Sequence, residues 1–135
     1  MSEKMILNNR PDNVLLISES QETEKLISAY LFDAEIEFNV AESIEDACEL
    51  LKKNKFKLIL LDIHLNDLNE LYAIKMLKDK NINVPIVVLT DELQGLEVGK
   101  YFNLGISGCI SKPVSKMDLA GITTQFLQYE YAATL

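Results

Sequence analysis

FKLILLDIHLNDLNE, residues 56–70, decides the reading of this chain. Its apolar run, Leu58 to Leu61, is too short for a membrane span and has the length and Leu/Ile content of a strand buried on both faces. The run stops on Asp62, and a polar loop follows. An unpaired buried carboxylate is costly to desolvate. Asp62 therefore either surfaces at the strand end or sits in a site that uses its charge.

Working outward, strand-length apolar runs recur at 13–18 (NVLLIS), 35–41 (EIEFNVA), 57–62 (KLILLD), 84–90 (VPIVVLT) and 107–111 (SGCIS). The second alternates, with Ile36, Phe38 and Val40 set against Glu35, Glu37 and Asn39. That is the pattern of a half-exposed edge strand. Between the runs the apolar period becomes helical. Leu26, Ile27, Tyr30 and Leu31 form one stripe; Ile44, Ala47, Cys48 and Leu51 a second; Ala73, Ile74, Met76 and Leu77 a third; Leu119, Ile122, Phe126 and Tyr129 the last. Ser20, Ser43 and Ser115 stand at N-cap positions, with Asp46 and Asp118 three residues after the latter two. A helical segment at about 92–104 carries Gly95 and Gly99, each costing roughly 1 kcal/mol relative to Ala, and is expected to be locally weak. Five βα repeats with short loops predict an α/β fold: a doubly wound parallel sheet with right-handed crossovers and helices on both faces.

The whole chain is consistent with one domain spanning 1–135, with its core at about 13–129 and an N-terminal extension at 1–12. Hydrophobic residues make up 48% and charged residues 25% of the 135. A net charge of -8 argues against direct nucleic-acid binding. Lys52, Lys53, Lys55 and Lys57 form the one basic cluster and read as the solvated end of a helix and its loop. The two cysteines, Cys48 and Cys109, lack zinc-ligand spacing, and Cys48 lies on an apolar stripe. No signal peptide or membrane-length apolar run is present, so a cytoplasmic location and no membrane contact are expected.

In such sheets ligand chemistry collects at the carboxyl ends of the strands. Those ends carry Ser18 and Glu19, Asp62, Thr90 and Asp91, and Lys112 followed by Pro113. Two acids, a hydroxyl and an ammonium would share one crevice. ISESQETEK, after the first strand, contains no glycine, which disfavours a dinucleotide or flavin site. His64, the only histidine, has no partner at a spacing that suggests a nucleophilic triad.

The order of Glu19, Asp62, Thr90 and Ser111-Lys112-Pro113 resembles the receiver domain of two-component response regulators, the CheY-like fold with strand order 2-1-3-4-5. The likeness runs from about Asn13 to Tyr129, and LILLDIHL and the Lys-Pro pair are its most specific parts. It implies that Asp62 accepts a phosphoryl group from a histidine kinase or phosphotransfer protein, and that the domain is a switch rather than an enzyme. It implies that Mg²⁺ is held by Glu19, Asp62 and the backbone carbonyl of His64, that Thr90 and Lys112 bind the phosphoryl oxygens, and that Lys112–Pro113 is cis. It places the His64 and Glu92 side chains at the rim of the site. It also implies an effector or homodimer contact through the face of the fourth helical segment, fifth strand and last helix.

The chain departs from the pattern in several places. Ser18 stands where a first acid is usual, and Glu19 where an Asp is more common, so Mg²⁺ should bind more weakly. Asn66 replaces a usual Pro and Glu70 a usual Gly. Asp91 replaces a small residue beside the phosphoryl pocket, and Cys109 replaces the aromatic whose rotation reports phosphorylation. These changes motivate an alternative: a pseudo-receiver that acts as a phosphorylation-independent interaction module. A flavodoxin-like enzyme or ligand-binding protein is a distant third reading.

Overall fold

The computed structural model describes residues 13–63, 68–80, 83–91, 99 and 101–127. Within them run β1 (Asn13–Ile17), α1 (Gln21–Asp33), β2 (Glu37–Ala41), α2 (Ile44–Lys53), β3 (Leu58–Ile63), α3 (Leu68–Asp79), β4 (Ile86–Thr90), β5 (Gly108–Ser111) and α4 (Lys116–Leu127). The strands form one sheet in the order β2-β1-β3-β4-β5, and every pairing is parallel. All five strand runs are therefore strands. The alternating one, β2, is at an edge with Glu37 exposed. Of the helical segment expected at 92–104, Gly99 and residues 101–103 are helical. Its other positions up to residue 100, Gly95 among them, lie outside the described residues, as do 1–12 and Tyr129.

Continuous apolar strands are explained by a core on each face of the sheet. Val14, Leu16, Leu58, Leu60, Val87 and Leu89 point to one side, against Ile27 and Leu31 of α1 and Leu119 and Leu127 of α4. Leu15, Ile17, Ile59, Leu61, Ile86 and Val88 point to the other, against Ala47 of α2, Ile74 and Leu77 of α3, and Tyr101. Successive strand residues face opposite ways, so a strand covered on both faces has no polar position until it ends.

The helix starts follow their capping residues. The hydroxyl of Ser20 accepts a hydrogen bond from the Thr23 N–H (3.2 Å), and that of Ser43 from the Asp46 N–H (3.1 Å). Ser115 and Asp118 cap each other: Ser115 Oγ accepts from the Asp118 N–H (3.0 Å), and the Asp118 carboxylate accepts from the Ser115 N–H (3.4 Å). At the end of α1, Glu35 takes a φ of 60°, and Ile36 N–H returns to the Leu31 carbonyl (2.9 Å). This left-handed residue closes the helix and turns the chain directly into β2.

Candidate functional site

Register fixes which residues meet at the carboxyl edge. Ile17 pairs with Leu61, so Ser18 and Asp62 are the next residues up on adjacent strands. Ile63 pairs with Thr90 and Thr90 with Ser111, which brings Lys112 to the same edge. One more backbone bond extends the ladder: the Lys112 N–H donates to the Thr90 carbonyl (2.7 Å). The Lys112 backbone is thus anchored to β4, and the Lys112–Pro113 peptide bond is cis.

The side chains then converge on Asp62. Its carboxylate is only 7% exposed, yet both oxygens are engaged. Lys112 Nζ forms an ion pair with Oδ1. Ser18 Oγ donates to Oδ2 at 2.8 Å. Ser18 is itself buried, and its oxygen accepts from the Ser20 N–H at 3.0 Å. That bond occupies one acceptor lone pair and orients the hydroxyl proton toward Asp62. The desolvation cost raised by the sequence is offset by one ammonium and one hydroxyl. Lys112 Nζ also lies 3.8 Å from an oxygen of Asp91, whose side chain is 56% exposed.

Among the described residues, two clefts open on this group. The larger, about 700 Å³, has Glu19, Glu22, Thr23, Leu26, Asp62, Asp91, Lys112, Pro113 and Val114 among its walls. The smaller, about 370 Å³, runs along Ser18, Glu19, Glu42, Glu45, Asp62, Tyr72 and Met76. Glu19, exposed at the end of β1, borders both together with Asp62. Among the described residues no three His, Cys, Asp or Glu side chains gather as a metal cluster. Beside Asp62, the Glu19 carboxylate and the Ser18 hydroxyl supply further oxygen donors. Mg²⁺ keeps several waters and is commonly bound through one or two carboxylates plus substrate phosphate, so the residues fit it with less charge than a three-acid pocket would supply.

Of the residues the sequence nominated, Asp62, Lys112 and Glu19 meet at one cleft. Thr90 stands at the edge of the same sheet and is fully buried. His64, Asn66 and Glu92 lie outside the described residues, and the Glu70 side chain is likewise not described. Ser18 lacks the carboxylate usual at its position, yet its hydroxyl bonds Asp62, a contact that the residue type alone does not announce. The signal for it was present, since two parallel strands ending in step place residues 18 and 62 side by side. The bulk of Asp91 is legible in the sequence, whereas its pairing with Lys112 depends on side-chain geometry. Cys109, in β5, packs beside the core of the Tyr101 side. Burial pushes its thiol pKa up, so at neutral pH it is a protonated packing group rather than a nucleophile.

A doubly wound parallel sheet with order 2-1-3-4-5 and a carboxylate paired to lysine at its carboxyl edge defines a CheY-like α/β protein. The family model of the response regulator receiver domain matches residues 14–123, and the chain belongs to that family. It is a receiver domain of two-component signalling. Among solved structures, the chemotaxis protein CheY4 of Vibrio cholerae superposes with a TM-score of 0.78 at 21% identity, covering 87% of this chain and 99% of that one. A two-component response regulator from Clostridium difficile gives the same TM-score at 22% identity, covering 87% of this chain and 96% of that one. Among curated proteins, the chain is 28% identical over 112 residues to the probable transcriptional regulator ycf29 of Porphyra purpurea, covering 82% of this chain and 54% of the relative. It is 26% identical over 128 residues to the autoinducer 1 sensor kinase/phosphatase LuxN of Vibrio harveyi, covering 95% of this chain and 15% of the relative. The chain thus spans about half or less of the length of these curated relatives. Among the described residues no helix is long and apolar enough to cross a membrane.

Proposed function

We propose that Asp62 accepts a phosphoryl group from a histidine kinase or phosphotransfer protein and that the acyl phosphate switches a protein-binding face of the domain. The observation that carries this reading is the buried Asp62 carboxylate held in the Lys112 ion pair at the strand edge. In this reading an Asp62 oxygen attacks the donor phosphorus in line as the bond from phosphorus to the leaving group breaks. Lys112 neutralises oxygens of the transferring group, and the Thr90 hydroxyl donates a further hydrogen bond to them. The Ser18 hydroxyl holds the carboxylate's rotation. Glu19, Asp62 and the His64 carbonyl would hold Mg²⁺, which would supply positive charge against the repulsion between nucleophile and phosphate. The effector or a second copy of the chain would bind the face made by the fourth helical segment, β5 and α4.

Intact mass after incubation with acetyl phosphate tests the assignment. The expected result is a hydroxylamine-labile phosphoryl adduct that depends on Mg²⁺ and is absent from Asp62→Asn. A second reading, a phosphorylation-independent interaction module, is favoured by one observation: both oxygens of Asp62 are already engaged by partners within the chain. An unlabelled wild-type chain together with no Mg²⁺ binding by titration would support that reading instead.

A further inference from the structure

From the two ion pairs of Lys112 we infer that Asp91 is a positioning residue, a built-in anion that competes with the incoming phosphoryl group for the Lys112 ammonium. The inference rests on the assignment of Asp62 as phosphoacceptor and concerns what sets the rate at that residue. Among the described residues, Lys112 is the one cation lining the larger cleft, against four carboxylates: Glu19, Glu22, Asp62 and Asp91. It faces Asp62 on one side and Asp91, at 3.8 Å, on the other. The Asp62 pair is almost dry, with the two side chains 14% and 7% exposed. Asp91 lines the same cleft and is more than half exposed. Asp91 is thus the more solvent-accessible of the two anions that face Lys112.

The reaction with acetyl phosphate sets the charges. The Asp62 carboxylate forms a bond to phosphorus as the bond between phosphorus and the acetyl oxygen breaks. Acetate leaves with that electron pair, and no proton is transferred. A dianionic phosphoryl group must settle against Lys112 for this to occur. It must draw the ammonium away from Asp91 and bear the repulsion of that carboxylate. Asp91 therefore slows loading of Asp62 by charge, not by volume. A small neutral residue there would leave Lys112 committed to Asp62 and to the transferring group.

The distinguishing variant is Asp91→Asn, which keeps the shape and removes the charge, compared with Asp91→Ala, which removes both. Wild type, both variants and Asp62→Asn are incubated with acetyl phosphate and Mg²⁺, and adduct formation is followed by intact mass at about 0.05 M and about 0.5 M salt. The expected result is that Asp91→Asn and Asp91→Ala both load about three to ten times faster than wild type at low salt. The gap should narrow at high salt, where screening weakens an exposed charge. A purely steric role would leave Asp91→Asn at the wild-type rate with only Asp91→Ala faster, and that result overturns the inference. So does a rate for Asp91→Asn equal to or below wild type at both salt concentrations. If neither wild type nor either Asp91 variant is labelled, the assignment of Asp62 itself fails and the inference with it. Labelling of Asp91→Asn alone supports both.

Discussion

At the scale of single residues, Asp62 and Lys112 depend on each other. Neither charge is well hydrated, and each is the other's nearest compensation. Removing one partner of a nearly buried pair leaves the other uncompensated, at a cost typically of about 3–5 kcal/mol. Lys112→Ala is therefore expected to lower unfolding stability by about 2–4 kcal/mol in urea titration, toward the lower end because Ser18 still donates to Asp62. An exposed lysine such as Lys52, paired with Glu49 at 3.4 Å, would lose under about 1 kcal/mol on the same change. The sequence revealed the members of the site but not their pairings. Residue type and strand-end position identify Asp62, Lys112 and Glu19. Which oxygen meets which donor depends on side-chain rotamers and on the loop after β1, neither of which leaves a periodic trace in the sequence.

At the scale of elements, periodicity and caps were the legible signals. Every strand run became a strand because alternation and run length report burial on one face or two. The stripes of α1 and α2 were less sharp. Ile27 and Leu31 are buried while Leu26 remains 43% exposed, and Ala47 and Cys48 are buried while Ile44 and Leu51 only flank the core. A stripe read from sequence is wider than the line of contact a helix makes with a sheet. The reciprocal cap of α4 is the best-defined helix start, and it begins two residues after the cis Lys112–Pro113 bond. Ser115→Ala should cost about 1 kcal/mol by removing the acceptor for the Asp118 N–H. Ser115→Asn should restore most of that loss, and thermal denaturation of the two variants side by side would show it.

At the scale of the whole molecule, the sheet separates two apolar layers that share every strand. Neither layer has its own backbone hydrogen-bonding partner set, so the two cannot melt independently. Leu60 and Leu61 are adjacent on β3 yet belong to opposite layers. Truncation of either to Ala is expected to cost about 2–5 kcal/mol. Buried Tyr101 reports on only one of those layers. Leu60→Ala, in the other layer, should nevertheless move the midpoint read at Tyr101 alone, by fluorescence in a background with the other four tyrosines replaced by Phe, as far as the midpoint seen by far-UV circular dichroism. Separate midpoints would mean that the layers unfold separately. The net charge of -8 acts at this scale too, and it gives partners with a basic docking surface a salt-dependent advantage in encounter rate.

Tyr72 has a consequence of a different kind. It projects from α3, 63% exposed, on the wall of the smaller cleft that also contains Asp62. The chain contains no tryptophan. Tyr72→Trp would therefore install a single indole emitter, excitable apart from the remaining tyrosines, at an exposed position that belongs to neither buried core. Its emission would sense the polarity and charge beside Asp62 directly. Ion binding, phosphorylation and partner docking at that edge would then be visible by light, in real time and without a radioactive label.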